Sequence, residues 1–466
     1  MTTNAVPSDT AQLAEILAEV ARKHQLPGAQ LAVRQRNRVR TVETGETKYG
    51  GGEPVTAGSA FPLGSLTKPF TAALAMTLVA DGDAELDAPL AAFAPVPGAG
   101  RVLTLRQLLS HTGGLAAGVD ESEERSAHRG RFVARHCREA DLAHPPGTVF
   151  SYSNVGYLVV GHLIETITGM SWYEALGSIL LEPLGITPAY VVGGGDRPSR
   201  TVVSGHTVRP SDGRVTAVDG QFLPPVEAPA GALALSAADL VAFGSRFLDG
   251  SEVTAVAPGP LDPETVREMC RDQLTGITAG PFGMADGWGL GWARYDGGTD
   301  FYGHDGTGDG TSCHLRFAPR SGLAVAFTTN ANTGHQAWTS VMERLHSVGI
   351  DVGDHTFSPP VGSGQIVTAP EECLGRYVNG TTEFRIHRGE DGRLLLSLDG
   401  RPHSELDCHG DLRFTLRELD DSRAVHTGRF LPGDGTGRGE YIQISGRLAR
   451  RDRRISRNGG HGDNST

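Results

Sequence analysis

Apolar residues recur at helical spacing along Thr10–Lys23 (TAQLAEILAEVARK), so the chain opens on an amphipathic helix. Gly28 then leads into two alternating stretches, Gln30–Arg34 and Arg38–Glu43, which predict a hairpin. Past a glycine loop at Gly50–Gly52, Ser65–Ala80 reads as a densely packed helix. Phe70, Leu74, Leu78 and neighbouring alanines give it a continuous apolar surface, and Asp81-Gly82 ends it. Leu105–Leu109 and Tyr157–Ile167 predict further helices, while Trp292–Tyr295, Asp300–His304, Ser312–Phe317 and Leu323–Thr329 are short strand patterns separated by glycines. Strand patterns at both ends of a helical region indicate an α+β unit.

Between Ile350 and Pro370 periodicity fades into Gly, Pro, Ser and Thr, including Ser358-Pro-Pro and Gly362-Ser-Gly, the composition of a linker. Beyond it, Phe384–His387, Leu394–Leu398, Leu412–Leu416 and Tyr441–Ile444 alternate between turn residues and predict a small antiparallel barrel or sandwich. The expected organisation is a first domain over 1–350, a linker over 351–370, a β domain over 371–450 and a disordered tail over 451–466. A cut near Gly362 would then separate two independent units. The basic cluster Arg447, Arg450, Arg451, Arg453, Arg454 and Arg457 runs into the polar stretch Asn458–Thr466 and reads as a solvated terminus.

The 466 residues exceed the roughly 250–300 at which a single core stops growing, which agrees with more than one domain. A formal charge of -12 argues against nucleic acid as a partner, because phosphate binding needs a basic face. The start, Met1-Thr-Thr-Asn-Ala-Val-Pro, lacks the pattern of a signal peptide, and no apolar run approaches the roughly 20 residues of a membrane span, so a cytoplasmic location without membrane attachment is expected. The five cysteines, Cys137, Cys270, Cys313, Cys373 and Cys408, are scattered and predict reduced core residues. The 17 histidines contain no HExxH pattern, and no metal or organic cofactor is expected.

Three segments carry candidate chemistry. Gly64-Ser65-Leu66-Thr67-Lys68 sets a serine and a lysine on one face of a helix start. A serine hydroxyl needs a base to become a nucleophile, and a lysine serves only if burial or neighbouring charge lowers its pKa. The plainer alternative is an N-cap serine beside a surface lysine. The context Leu63-Gly64-Ser65-Leu66-Thr67 is not the GxSxG elbow of α/β-hydrolases. Phe150-Ser151-Tyr152-Ser153-Asn154 places a tyrosine and an asparagine so that both can face one cleft, Tyr152 to shuttle protons and Asn154 to hold an acyl amide or the lysine. Tyr152 could equally be a hydrogen-bonded core residue. Tyr302-Gly303-His304-Asp305-Gly306-Thr307-Gly308 ends a predicted strand, whose edge can supply an oxyanion N–H or simply form a hairpin.

The ordered set SLTK at Ser65, YSN at Tyr152 and HDG at His304 resembles the serine β-lactamase and penicillin-binding-protein superfamily, in its class C-like branch of esterases, transesterases and D-aminopeptidases. Leu108–Leu115 (LLSHTGGL), Ala228–Gly231 (APAG) followed by Ser236–Leu240 (SAADL), and Gly289–Trp292 (GLGW) support it. The likeness spans about residues 10–350. It implies an α+β fold, a β-lactamase-like antiparallel sheet flanked by helices with an all-helical subdomain; the region after 370 is similar to the lipocalin-like barrel appended to some members. It implies Ser65 as nucleophile, Lys68 and Tyr152 as the acid–base pair, and Asn154, His304, Asp305 and Gly306 as substrate contacts. The oxyanion hole would be the backbone N–H groups of Ser65 and Thr307. His111 and Gly113-Gly114 would shape the fold beside the site.

Two departures redirect the substrate. A histidine at 304 is mostly neutral near pH 7, and Asp305 stands where the family has a small or hydroxyl residue. An Asp305 facing the cleft would repel the carboxylate of β-lactams and D-Ala-D-Ala peptides and favour neutral or amine-bearing substrates; an Asp305 facing away would merely cap a turn. The expected activity is therefore acyl transfer from a small ester or amide through acyl-Ser65 to water or to a small amine or alcohol. Biosynthetic amide formation from an activated ester is the alternative, ahead of a β-lactamase, a D-aminopeptidase or a catalytically silent sensor.

Overall fold

Leu13, Ile16, Leu17, Val20 and Ala21 form the buried stripe of helix α1 (Thr10–His24), and Arg22, Lys23 and His24 sit in its last turn, where cations meet the negative helix end. The computed structural model describes residues 9–452 apart from 36, 119–127, 192–199, 210–211, 250–258, 280–283, 296–299, 355–365, 411, 420–424 and 434–438. After α1 the chain makes the hairpin β1 (Gly28–Gln35) and β2 (Arg38–Gly45). Strand β1 is covered by α1 and by the helix Ala237–Gly244, so Gly28–Arg34 is buried throughout rather than on alternate residues.

Helix α2 (Lys68–Ala80) is buried from Lys68 to Leu78 and packs against helix α3 (Asn154–Thr168) in a helical region that also holds Leu105–Leu109. The chain then returns to the sheet through β3 (Gly287–Trp288), β4 (Ala293–Tyr295), β5 (Phe301–Gly308), β6 (Thr311–Ala318) and β7 (Leu323–Thr329). The order is β2-β1-β7-β6-β5-β4-β3, antiparallel throughout, so the two ends of this region meet at β1 and β7. Helix α1 and helix α4 (Gly334–Ser347) cover one face of the sheet, and the helix Ala237–Gly244 covers the other. No helix among the described residues is long and apolar enough to cross a membrane.

The second half of the expectation resolves into a closed eight-stranded antiparallel barrel, from β8 (Gly375–Asn379) to β15 (Arg447–Arg451), with β8 pairing β15 to shut it. Tyr377, Phe414, Phe430 and Ile442 fill its interior. The basic cluster is therefore corrected in part: Arg447, Arg450 and Arg451 lie on the last barrel strand, with Leu448 and Ala449 buried between them. Arg451 donates to the Leu374 carbonyl (2.5 Å), and Arg450 pairs with Glu440 (3.6 Å). Arg453, Arg454 and Arg457, like the central linker motifs, lie outside the described residues. None of the five cysteines is in a disulfide, and four of them are buried, Cys270 being partly exposed.

The barrel is docked on the first region through its last hairpin and the end of β8. Strand β14 (Tyr441–Ile444) turns into β15 through Ser445 and Gly446, both at positive φ (46° and 71°), the signature of a type I′ turn. Gly446 accepts a hydrogen bond from the Tyr152 N–H (2.8 Å), and the Leu448 N–H donates to Ser151 Oγ (3.2 Å). The Gln443 amide donates to the Phe150 carbonyl (2.9 Å), and Asn379 Oδ1 accepts from the Ala117 N–H (2.7 Å).

Candidate active site

Ser65 lies in the 3₁₀ turn Gly64–Thr67 that feeds directly into α2, so one helical turn separates it from Lys68. Lys68 is completely buried; its Nζ donates to Ser65 Oγ and to the Ala230 carbonyl, each at 2.9 Å. No carboxylate among the described residues bonds to it. Burial pushes its pKa well below the usual lysine range, the nearby Arg447 adds to the effect, and Glu227 opposes it. Lys68 is thus held toward the neutral amine that can take the Ser65 proton.

Tyr152, at 1% exposure, sits beside this pair with Lys68 Nζ 5.1 Å from its ring centre. Burial raises its pKa, while the adjacent Ser65 hydroxyl and Arg447 act the other way. Its hydroxyl completes no well-formed hydrogen bond with a described residue, which leaves it available to a reacting group. His111 stacks on the Tyr152 ring (centroids 4.2 Å apart), and its Nδ1 accepts from the Ser153 N–H (3.1 Å). Burial first, then Lys68, lowers the His111 pKa, so a neutral imidazole braces the tyrosine. Ser153 caps α3 by accepting from the Gly156 N–H (3.0 Å). That cap aims Asn154 at the cleft, where its Oδ1 is buried without a hydrogen bond to any described residue.

Strand β5 closes the other side. A Cβ at Gly64 would lie 2.0 Å from the Thr307 carbonyl oxygen, and one at Gly306 would lie 1.9 Å from the Leu63 oxygen, so glycine at both positions lets turn and strand touch. That contact sets the Thr307 peptide beside Ser65, the arrangement an oxyanion hole requires.

The other two expected contacts behave differently. His304 is buried, its Nδ1 bonds to the Asp305 carbonyl (2.5 Å), and burial with Lys68 nearby pushes its pKa down to about 3, so it brings no charge. Asp305 turns to the opposite side of the sheet, where its carboxylate meets Arg316 (2.7 and 3.0 Å) and His314 (2.7 Å). Burial opposes its ionisation, but Arg316 and His314 outweigh that and hold it well below the usual carboxylate range. Arg316 itself is fully buried and also pairs with Asp354 (2.9 Å). The repulsion of anionic substrates expected from Asp305 is therefore not built into the cleft. Asp305→Ser should act on stability instead. Breaking a buried pair typically costs ~3–5 kcal/mol, and the lower end applies because Asp354 remains; equilibrium denaturation would check this, and a loss under ~1 kcal/mol would contradict it.

Ser65, Asn154 and Thr307 line a cleft of ≈ 320 Å³, which Glu227, Gly231 and Phe222 extend. Two charged groups beside the site escaped the sequence reading. Glu227 is a half-buried carboxylate at the cleft with no hydrogen bond or ion pair to a described residue; its place one residue before the APAG phrase was the available signal. Arg447, whose Cζ stands 5.4 Å from the Tyr152 ring centre, was hidden in a charge run.

The site thus combines a buried lysine bonded to a serine at a helix start, a tyrosine beside both and a strand edge at the serine. The Beta-lactamase family model matches residues 13–348, and the chain belongs to that family. It is 33% identical over 380 residues to penicillin-binding protein 4 of Amycolatopsis lactamdurans, spanning 78% of this chain and 97% of that one. Esterase EstB of Burkholderia gladioli is 28% identical over 273 residues, 52% of this chain and 68% of that one. The crystal structure of SurE superposes with a TM-score of 0.84 at 36% identity, over 95% of this chain and 98% of that one. SurE with D-Leu superposes at 0.82 and 35% identity, over 95% and 99%.

Proposed function

We propose that the protein is a serine acyltransferase or hydrolase that takes an acyl group ending in a D-configured residue from an ester or amide onto Ser65. The observation that carries this reading is the buried Lys68 amine 2.9 Å from Ser65 Oγ. Lys68 accepts the Ser65 proton as Oγ attacks the acyl carbonyl, and the oxyanion falls to the N–H groups of Ser65 and Thr307. Tyr152 protonates the leaving group as the tetrahedral intermediate collapses. The second half runs in reverse, with an acceptor losing its proton to the same pair. The D-configuration is carried over from the D-Leu bound by SurE.

An amine is favoured over water as acceptor by Glu227, a carboxylate at the cleft that no described residue neutralises. An approaching ammonium would pair with it before giving up its proton.

A fluorophosphonate, or an activated N-acyl-D-amino-acid ester, is expected to add one group per chain by intact mass, and Ser65→Ala to abolish the adduct. A full-occupancy adduct on another serine in Ser65→Ala would remove Ser65 from its role.

A further inference from the structure

His304 is neutral and buried behind Tyr152, and Asp305 is consumed by Arg316 on the far side of the sheet. Among the described residues that line the cleft there is no lysine or arginine. The barrel brings an arginine beside Tyr152. The β14–β15 hairpin is fixed to Phe150, Ser151 and Tyr152 by three hydrogen bonds, and its next residue is Arg447. The guanidinium is half-buried, lies over the Tyr152 ring, and forms no ion pair or hydrogen bond with any described residue. The other barrel arginines beside it, Arg450 and Arg451, are both paired. A guanidinium beside Lys68 with no ion-pair partner among the described residues is free to hold an anionic oxygen pair on the substrate in its planar fork.

We infer that Arg447 is a specificity-determining residue that binds a carboxylate on the leaving-group or acceptor side of the scissile bond. The inference rests on the acyl-enzyme reading above. Leaving group and acceptor share that side by microscopic reversibility, so the same contact selects carboxylate-bearing leaving groups and carboxylate-bearing amines. Together with Glu227 it makes the subsite bipolar, suited to an amino acid or to the free end of a peptide.

The test compares two donors that differ only in this charge: N-acetyl-D-leucyl thioesters of 3-mercaptopropionate and of 3-mercaptopropionamide. Wild type is expected to favour the carboxylate by about tenfold or more in kcat/KM, the value of a charge-assisted hydrogen bond. Arg447→Gln should bring the ratio close to one, and Arg447→Lys, which keeps charge without the fork, should fall between. The ratio is the readout because any general effect of Arg447 on Lys68 lowers both donors together. If Arg447→Gln does not fold, Arg447→Lys decides, with at least a threefold drop in the ratio expected. Equal rates for the two donors in wild type, or an unchanged ratio in the variant that folds, overturn the inference. Absence of any acyl-Ser65 from either donor would instead overturn the reading beneath it.

Discussion

Lys68→Ala and Tyr152→Phe are each expected to lower kcat/KM by ~10²–10⁴-fold, the range of a lost proton-transfer group. Both side chains are buried, so Lys68→Met, which keeps the shape, separates loss of the amine from loss of packing. A pH profile adds a sign. Activity needs the neutral amine, so it should fall as pH drops through the Lys68 pKa, on a limb lying well below the usual lysine range. Removing the neighbouring cation in Arg447→Gln favours the ammonium and should move that limb to higher pH. Wild-type kcat in Tyr152→Phe or Lys68→Met would contradict the proposed pair.

What the sequence could tell follows from how local each feature is. Ser65 and Lys68 share a helix face by spacing alone, and Tyr152 and Asn154 flank an N-cap serine whose bonding is also local. The strands of the sheet that read well, such as Ser312–Phe317 and Leu323–Thr329, are buried along their whole length because helices cover both faces. The orientation of Asp305 was not legible, because it depends on register. Asp305 stands opposite His314, and Arg316 is two residues further along the same face of β6, a pairing that exists only once β5 and β6 are aligned. In the barrel, a short apolar strand is visible at Leu394–Leu398 but obscured by arginines at Arg447–Arg451, where long charged side chains flank only two buried residues. A charge run that forms a closing strand looks like a solvated tail until its partners, β8 and β14, are in place.

Deleting the barrel, residues 366–466, is expected to lower kcat/KM by at least ~10²-fold with Ser65 and Lys68 untouched. The sequence suggested that a cut near Gly362 would free an independent catalytic unit; the docking says otherwise. The Phe150 carbonyl, Ser151 hydroxyl and Tyr152 N–H are bonded to Gln443, Leu448 and Gly446, and the Ala117 N–H to Asn379. Each bond contributes about 1 kcal/mol, and their joint loss frees the segment that places the Tyr152 hydroxyl. Misplacing a reacting group by roughly 1 Å is enough for a ~10²-fold loss. A protease-cleavable insert near Gly362 supplies the control, since cutting the chain while the barrel stays docked breaks none of these contacts. The cut, still-associated protein should keep its activity, and the deletion should lose it while still taking up some fluorophosphonate at Ser65. A deletion that retains kcat/KM within threefold of the full chain would show that Tyr152 is positioned by the first region alone.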